Sequence, residues 1–160
     1  MEIAEPITVR CSALVFRTNT VLLCHRVPGD RWVVPGGSPR RQEGAAQCAA
    51  REVRQETGLD VTPERVAFVL DATSPEGKQH LFEIVFLARE HDPSAVPRGG
   101  EDGLEPSFVD LGSLDSLALL PDIGRRLACF ADTLARTAGE PQATAAYLGN
   151  VWQPLPDVAP

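Results

Sequence analysis

The sequence lacks the features that mark membrane, disulfide-rich and zinc-binding proteins. No apolar run approaches the roughly 20 residues that a membrane-spanning helix needs. The four cysteines never form a C-x-x-C pair, and the three histidines lack the spacing of a zinc site. The first ten residues contain no basic segment followed by an apolar one, so we expect no secretory signal. These absences predict a cytoplasmic protein with reduced thiols and no membrane partner.

An excess of positive charge is also missing. The formal net charge is −7 at pH 7, which argues against a nucleic-acid polymer as partner, because such binding depends on neutralising phosphates. Hydrophobic residues make up 43% and charged residues 23% of the 160 positions. This composition is ordinary for a soluble globular protein, and the length is sufficient for one domain with a substantial core.

Apolar alternation and turn residues predict six strands and two helices. The strands are expected at Thr8–Phe16, Val21–Arg26, 32–34, Arg65–Ala72, His80–Arg89 and Ser107–Leu111, and the helices at about Glu43–Thr57 and Asp122–Thr137. The order β-β-β-α-β-β-β-α predicts an α/β sandwich with a central mixed sheet. We expect one domain over residues 1–138, followed by a Pro- and Ala-rich tail over 139–160 whose apolar residues could dock on it.

One 23-residue segment, Gly37 to Leu59, carries a spacing that points to chemistry. Its fixed positions are Gly37, Glu43, Arg51-Glu52-Val53, Glu56, Gly58 and Leu59. This spacing resembles the Nudix box, with Gln55 standing where that box usually has another glutamate. The resemblance implies a Nudix-type α/β/α sandwich that hydrolyses a pyrophosphate bond in a small nucleoside diphosphate derivative. It also implies Mg²⁺ as the cofactor, or Mn²⁺ in its place.

Two carboxylates of this segment lie next to each other on the predicted helix. Glu52 and Glu56 are four residues apart, beside a stripe of small and apolar residues. The stripe consists of Ala46, Ala49, Ala50, Val53 and Thr57. Neighbouring carboxylates repel each other, and a divalent cation with hard oxygen ligands would turn this repulsion into attraction.

The resemblance assigns a role to each matching residue. Glu56 is expected to be the main metal ligand, and Glu52 a second ligand and the general base. Arg51 is expected to orient the catalytic carboxylate through its guanidinium group. A main-chain carbonyl at Gly36 or Gly37 would complete the metal site, because glycine has no Cβ to block close approach. Gln55 offers a neutral oxygen and no charge, which leaves the number of metal ions open.

The family also uses an acid from a loop beyond the sheet. Here the candidates are Glu101, Asp102 and Glu105, among which we choose Glu105. Each of them is also consistent with a solvated acidic loop.

Substrate contacts are predicted from residues close to the segment. Arg26 and Arg40 could bind phosphate oxygens, and Trp32 could stack on a base, although an aromatic residue in a strand is also typical of a core. Pro75 lies 16 residues past the segment, a spacing that resembles ADP-ribose pyrophosphatases. Damaged nucleotides, nucleotide sugars, dinucleoside polyphosphates and isoprenyl diphosphates all stay open as substrates.

Two other functions are compatible with the sequence. A Nudix-fold sensor would hold a nucleotide without cleaving it, and an isomerase of the isopentenyl-diphosphate type shares the same fold. The glutamates and Arg51 favour the hydrolase, whereas Gln55 slightly favours the sensor. The helix over 122–137 and the apolar residues of the tail are candidate surfaces for a homodimer.

Overall fold

Nine strands, two α-helices and a 3₁₀ turn form the part of the chain that the computed structural model describes, residues 6–137 and 145–152. The strands are β1 Thr8–Leu14, β2 Phe16–Arg17, β3 Thr20–Arg26, β4 Arg31–Val33, β5 Gly36–Gly37, β6 Val61–Thr73, β7 His80–Glu90, β8 Leu104–Asp110 and β9 Ala146–Asn150. Helix α1 spans Ala45–Thr57, helix α2 spans Gly124–Arg136, and the 3₁₀ turn spans Leu111–Ser116.

The strands form two sheets. The larger one has the order β5-β1-β7-β6-β9, in which β1 and β7 are parallel while β6 and β7 are antiparallel. In the smaller sheet, β3 pairs antiparallel with β2, β4 and β8. Mixed pairing together with helices gives the α/β sandwich that the element order predicts.

Two hydrophobic clusters hold the layers together. Helix α1 packs through Cys48, Ala49 and Val53 on alternate residues of β1 and β7. The other face of this sheet, which includes Leu70 of β6 and Val85 of β7, packs against β3, the 3₁₀ turn and α2 in a second cluster, to which α2 contributes Leu127. Because successive strand residues point to opposite faces, β1 and β7 contribute to both clusters.

Helix α1 begins two residues later than predicted. The Glu43 amide donates to the Arg40 carbonyl, and the Glu43 carboxylate accepts from the Arg40 amide at 2.8 Å. These bonds form a turn, and the helix follows from Ala45. Its end agrees with the prediction, since Gly58 has a φ of 73° and its amide bonds to the Arg54 carbonyl.

The predicted apolar stripe of α1 is partly wrong. Ala49, Val53 and Thr57 are buried, but Ala46 is exposed and Glu56 is buried instead. Helix α1 therefore turns its Glu56 side toward the protein interior, where the Glu56 carboxylate accepts a hydrogen bond from the Gly36 amide.

The chain after α2 adds a strand that periodicity did not predict. Strand β9 pairs in parallel with β6, with Tyr147 opposite Val69. The other tail residues, 138–144 and 153–160, lie outside the described residues. None of the described helices is long and apolar enough to span a membrane.

Candidate functional site

The segment Pro35-Gly36-Gly37, which we call the glycine loop, includes β5 at the edge of the larger sheet and contacts α1. A Cβ on Gly36 would lie 2.5 Å from the Cys11 carbonyl oxygen and from the Ser12 Cβ. A Cβ on Gly37 would lie 2.5–2.7 Å from the carboxylate atoms of Glu52. Only glycine at both positions allows these close contacts. The main chain of the loop therefore packs directly, without an intervening side chain, against the predicted catalytic helix.

Glu56 is buried against this loop. It is 4% exposed, and its Oε2 accepts from the Gly36 amide at 3.0 Å and from the Cys24 Sγ at 4.0 Å. Burial raises the pKa of Glu56 to about 7, and the charges of Glu52 and Glu101 act in the same direction. The positive charge of Arg10 and the Gly36 amide lower this pKa and offset part of the effect.

Arg51 holds three side chains around the exposed side of α1. It donates to both oxygens of Glu43, at 2.6 and 2.8 Å, and to Glu52. It also donates to the Gln55 Oε1 at 2.8 Å. The hydrogen bonds from Arg51 are the main cause that lowers the pKa of Glu43 to about 2. Arg51 therefore fixes the direction of the Glu52 carboxylate, while Gln55 takes part in this network through its neutral oxygen.

The donor set is compatible with Mg²⁺. Within residues 6–137 and 145–152, no three or more His, Cys, Asp and Glu side chains group as a closed metal cage. Protein-bound Mg²⁺ usually uses only one or two carboxylates and completes its shell with waters and substrate phosphates. Glu52 and Glu56 match this, and the missing Cβ of Gly37 lets the Glu52 carboxylate pack directly on the main chain of the glycine loop.

Arg10 contacts the candidate site, although no motif of the sequence points to it. Its guanidinium donates to Glu83 and to the carbonyl oxygens of Val34, at 2.6 Å, and Gly36, at 3.1 Å. Glu83 is fully buried. Arg10 therefore ties the glycine loop to the central strands. A sequence signal was available, because Arg10 and Glu83 are opposite charges that each interrupt an apolar strand.

The strand register directs Glu105 away from Glu56. Glu105 lies opposite His25 in the β3–β8 pair, and Pro106 lies opposite Cys24, the residue that contacts Glu56. Because neighbouring residues of a strand alternate between faces, Glu105 points to the other face. The difference from prediction arises because β8 begins at Leu104, so that Glu105 is a strand residue.

Glu101 lies on the side of Glu56. The preceding Gly100 packs so tightly on the end of α1 that a Cβ there would lie 2.0 Å from the Gln55 carbonyl oxygen. The Arg98 amide also donates to the Thr57 carbonyl at 2.8 Å. This crossing brings the Glu101 charge close enough to raise the pKa of Glu56.

The three predicted substrate residues lie in different places. Arg26 lines a cavity that Arg10 also lines. Trp32 is half-buried, packs against the core and stacks on His25 with ring centroids 4.7 Å apart. Arg40 is exposed at the turn before α1. Arg26 therefore lies with Arg10 in the cavity lining, which includes neither Trp32 nor Arg40.

The cavity has a volume of about 610 Å³, and its lining contains both charged and apolar residues. Its cationic side chains are Arg10, Arg26, Arg31 and Lys78, and its apolar lining includes Val33, Leu81, Leu120, Pro121 and Trp152. The volume is that of a site for a small molecule. Arg10 connects it with the glycine loop, and through that loop with Glu52 and Glu56.

The buried Glu56 predicts how metal-free stability depends on pH. Its folded pKa of about 7 exceeds the ordinary 4.5, so the folded state retains a proton that the unfolded chain loses. The free energy of unfolding should therefore fall by about 3 kcal/mol between pH 4.5 and 7 and level off above 7. Urea denaturation in EDTA across this range measures the fall, which Glu56→Gln should abolish. An equal fall in both proteins would contradict the assignment.

Comparison with known proteins points to one protein family. A family model of the NUDIX domain matches residues 6–130. The YjhB protein of Bacillus subtilis is 30% identical over 98 residues, which are 59% of this chain and 45% of that protein. The ADP-ribose pyrophosphatase of Methanocaldococcus jannaschii is 26% identical over 113 residues, which are 69% of this chain and 66% of that protein. The matches thus span less than half of the first relative and just under two thirds of the second.

Solved structures share the fold. A NUDIX hydrolase from Nitrosomonas europaea aligns with a TM-score of 0.69 and 22% identity, over 93% of this chain and 82% of that chain. An ADP-ribose pyrophosphatase from Streptococcus suis aligns with a TM-score of 0.65 and 20% identity, over 88% of this chain and 98% of that chain. At these identities the likeness concerns the fold.

Proposed function

The chain belongs to the NUDIX family, and on this premise we propose that it is a metal-dependent pyrophosphohydrolase acting on nucleoside diphosphate derivatives. The proposal depends mainly on one observation. Glu56 is buried beside Glu52, at a place where Gly37 presents main chain without a Cβ. A carboxylate in such surroundings is costly unless a positive charge neutralises it. Burial of the Glu56 carboxylate at this place is therefore better explained by cation binding than by stability.

Each residue of the site has a proposed task. Glu56 and Glu52 hold the cation together with a main-chain carbonyl of the glycine loop. When bound, a divalent cation neutralises phosphate oxygens and lowers the pKa of water. Glu52 takes the proton of the attacking water, which adds to phosphorus in line with the leaving phosphate group. Arg51 orients the Glu52 carboxylate through its hydrogen bond, and Glu43 anchors Arg51.

Arg10 has a positioning task in this mechanism. Its bonds to the Val34 and Gly36 carbonyls hold the glycine loop in place. The same guanidinium lines the cavity, so it supplies positive charge where a diphosphate would approach. We propose that the cavity holds the group attached to the diphosphate and that Arg26 contributes to phosphate binding.

ADP-ribose is the first substrate to examine. Two of the similar proteins carry the name ADP-ribose pyrophosphatase, and a cavity of about 610 Å³ suits a molecule of this size. We further propose a cytoplasmic location, which the buried free thiols Cys11, Cys24 and Cys48 support.

A phosphate-release screen tests the activity. The protein is incubated with ADP-ribose, nucleotide sugars, nucleoside triphosphates, dinucleoside polyphosphates and isoprenyl diphosphates, each with Mg²⁺, Mn²⁺ or EDTA. For ADP-ribose, nucleotide sugars and dinucleoside polyphosphates, a phosphatase added after quenching, with its metal restored in the EDTA samples, converts the monoester products to free phosphate. For nucleoside triphosphates, inorganic pyrophosphatase takes its place, and isoprenyl diphosphates are assayed for phosphate released directly. We expect turnover of at least one nucleotide that EDTA abolishes. Binding without turnover across the panel would favour the sensor, and turnover confined to isoprenyl diphosphates would favour a non-nucleotide hydrolase.

Glu101 is the loop acid that we propose for the site in place of Glu105. Removing its charge should lower turnover by about tenfold, because it acts next to the glutamate that holds the cation. Glu105→Gln should change turnover by less than about twofold and serves as the matched control. Steady-state kinetics of both variants at saturating Mg²⁺ make the comparison. A larger loss in Glu105→Gln would return the role to Glu105.

A further inference from the structure

The end of the described chain closes the cavity with an aromatic side chain. Trp152 lines the cavity and packs with part of its surface on the hydrophobic core. It follows β9, which extends the larger sheet beside β6. Among the cavity residues in the described ranges, Trp152 and His80 are the two with aromatic rings. The cavity therefore owes its large flat apolar surface to a segment outside the box Gly37–Leu59.

Trp152 is held in a defined place. The Val151 amide donates to the Asp71 carbonyl at 2.8 Å, and the Asn150 Oδ1 accepts from the Thr73 amide at 3.0 Å. The same Asn150 oxygen accepts from the Trp152 amide at 3.3 Å. These bonds fix Trp152 beside Ala72, which also lines the cavity. A ring whose main chain is anchored in this way loses little entropy when a planar group stacks on it.

Charge and shape together indicate the class of ligand. The cationic side chains of the cavity lining suit phosphate oxygens, and the indole offers an extended π surface. A molecule that joins an anionic diphosphate to a planar heteroaromatic ring matches both features at once. An isoprenyl diphosphate matches the charge but does not need a flat ring, because any apolar side chain would serve its hydrocarbon.

We propose that Trp152 is a specificity residue that stacks on the base of a nucleoside diphosphate derivative. The inference rests on the proposed function for the identity of the reaction. What it adds is that Trp152, a side chain that takes no part in the chemistry, determines the class of substrate. Base stacking on an aromatic ring contributes enough to change affinity by about tenfold. The effect should fall on binding and KM, because the reacting phosphorus is held by other residues.

Binding to the metal-free protein tests the proposal without turnover. Calorimetric titration with ADP, inorganic pyrophosphate and dimethylallyl diphosphate is compared for wild type, Trp152→Leu and Trp152→Phe. Leucine keeps the apolar character and removes the ring. We expect Trp152→Leu to weaken ADP binding by about tenfold and to change the other two by less than about threefold. Trp152→Phe should bind ADP within about threefold of wild type. Tyr147→Leu, an exposed ring on β9 outside the cavity lining, is the matched control for folding.

Fluorescence adds a readout that a purely structural role would not change. The chain has two tryptophans, Trp32 and Trp152, so the difference between wild type and Trp152→Phe reports Trp152. ADP should quench wild-type emission, pyrophosphate should not, and the variant should lose the quench. Equal weakening of ADP and dimethylallyl diphosphate in Trp152→Leu would overturn the proposal, as would no binding of ADP to wild type. If Trp152→Leu raises KM for ADP-ribose at unchanged kcat, the proposal gains support; if turnover is normal and KM unchanged, it fails while the proposed reaction stands.

Discussion

Glu56→Gln should reduce turnover at least about a hundredfold and leave the fold intact. The substitution removes the negative charge that we assign to the cation, and losses of a positioned charge are typically of this size. Glutamine can still accept the Gly36 amide through its oxygen, so the glycine loop keeps its anchor. Initial rates at saturating Mg²⁺, measured on the best substrate of the screen, give the ratio.

The control for this variant is Glu64→Gln. Glu64 is an exposed residue of β6 whose carboxylate pairs with Arg89 on the surface. The variant therefore makes the same glutamate-to-glutamine change at a position away from the site. We expect its turnover to stay within about twofold of wild type. Melting temperatures of both variants show that the fold is kept. Turnover close to wild type in a folded Glu56→Gln protein would contradict the assignment of Glu56.

The two loop glycines should separate stability from activity. An alanine at Gly36 would place its Cβ 2.5–2.6 Å from main-chain atoms of Cys11 and Ser12. The main chain cannot yield easily, and we expect Gly36→Ala to lower the free energy of unfolding by about 2–3 kcal/mol. An alanine at Gly37 meets the end of the Glu52 side chain instead. That side chain can move, so stability should change by less than about 1 kcal/mol.

The movement at Gly37 should nevertheless be costly for catalysis. Displacing the Glu52 carboxylate by about 1 Å is expected to lower turnover by about a hundredfold. Urea denaturation gives the stabilities, and kinetics over a range of Mg²⁺ concentrations give the activity. Wild-type turnover in Gly37→Ala would show that the space beside Glu52 has no function. The opposite order of stabilities would contradict the packing that we describe at Gly36.

The spacing of residues 37–59 was sufficient to predict the main elements of the site. The helix over these residues, its end at Gly58, and the adjacency of Arg51 and Glu52 all follow from local geometry along the chain. Periodicity also predicts a strand over Thr8–Phe16, but the structure divides this segment between two sheets, with Thr8–Leu14 in the larger sheet and Phe16 opposite Val21 in the smaller one. Local sequence patterns are reliable where the partners are close in the chain.

Long-range contacts explain what the sequence did not predict. The link between Arg10 and Glu83 joins residues 73 positions apart, and only the parallel register of β1 and β7 brings them together. Sequence position alone favours Glu105 as a loop residue. In the structure β8 begins at Leu104, and the strand determines where the Glu105 side chain points. Strand β9 pairs with β6 across more than seventy residues, so periodicity in the tail gave no indication of the place of Trp152.

A crystal of the protein soaked in Mn²⁺ tests the central claim most directly. The anomalous scattering of manganese locates the ion independently of any assay of activity. We expect an anomalous peak within coordination distance of the Glu52 and Glu56 carboxylates, next to the glycine loop, and no such peak in Glu56→Gln crystals soaked in the same way. Wild-type crystals with ordered glutamates that point apart and no ion between them would contradict a cation-dependent mechanism at this site.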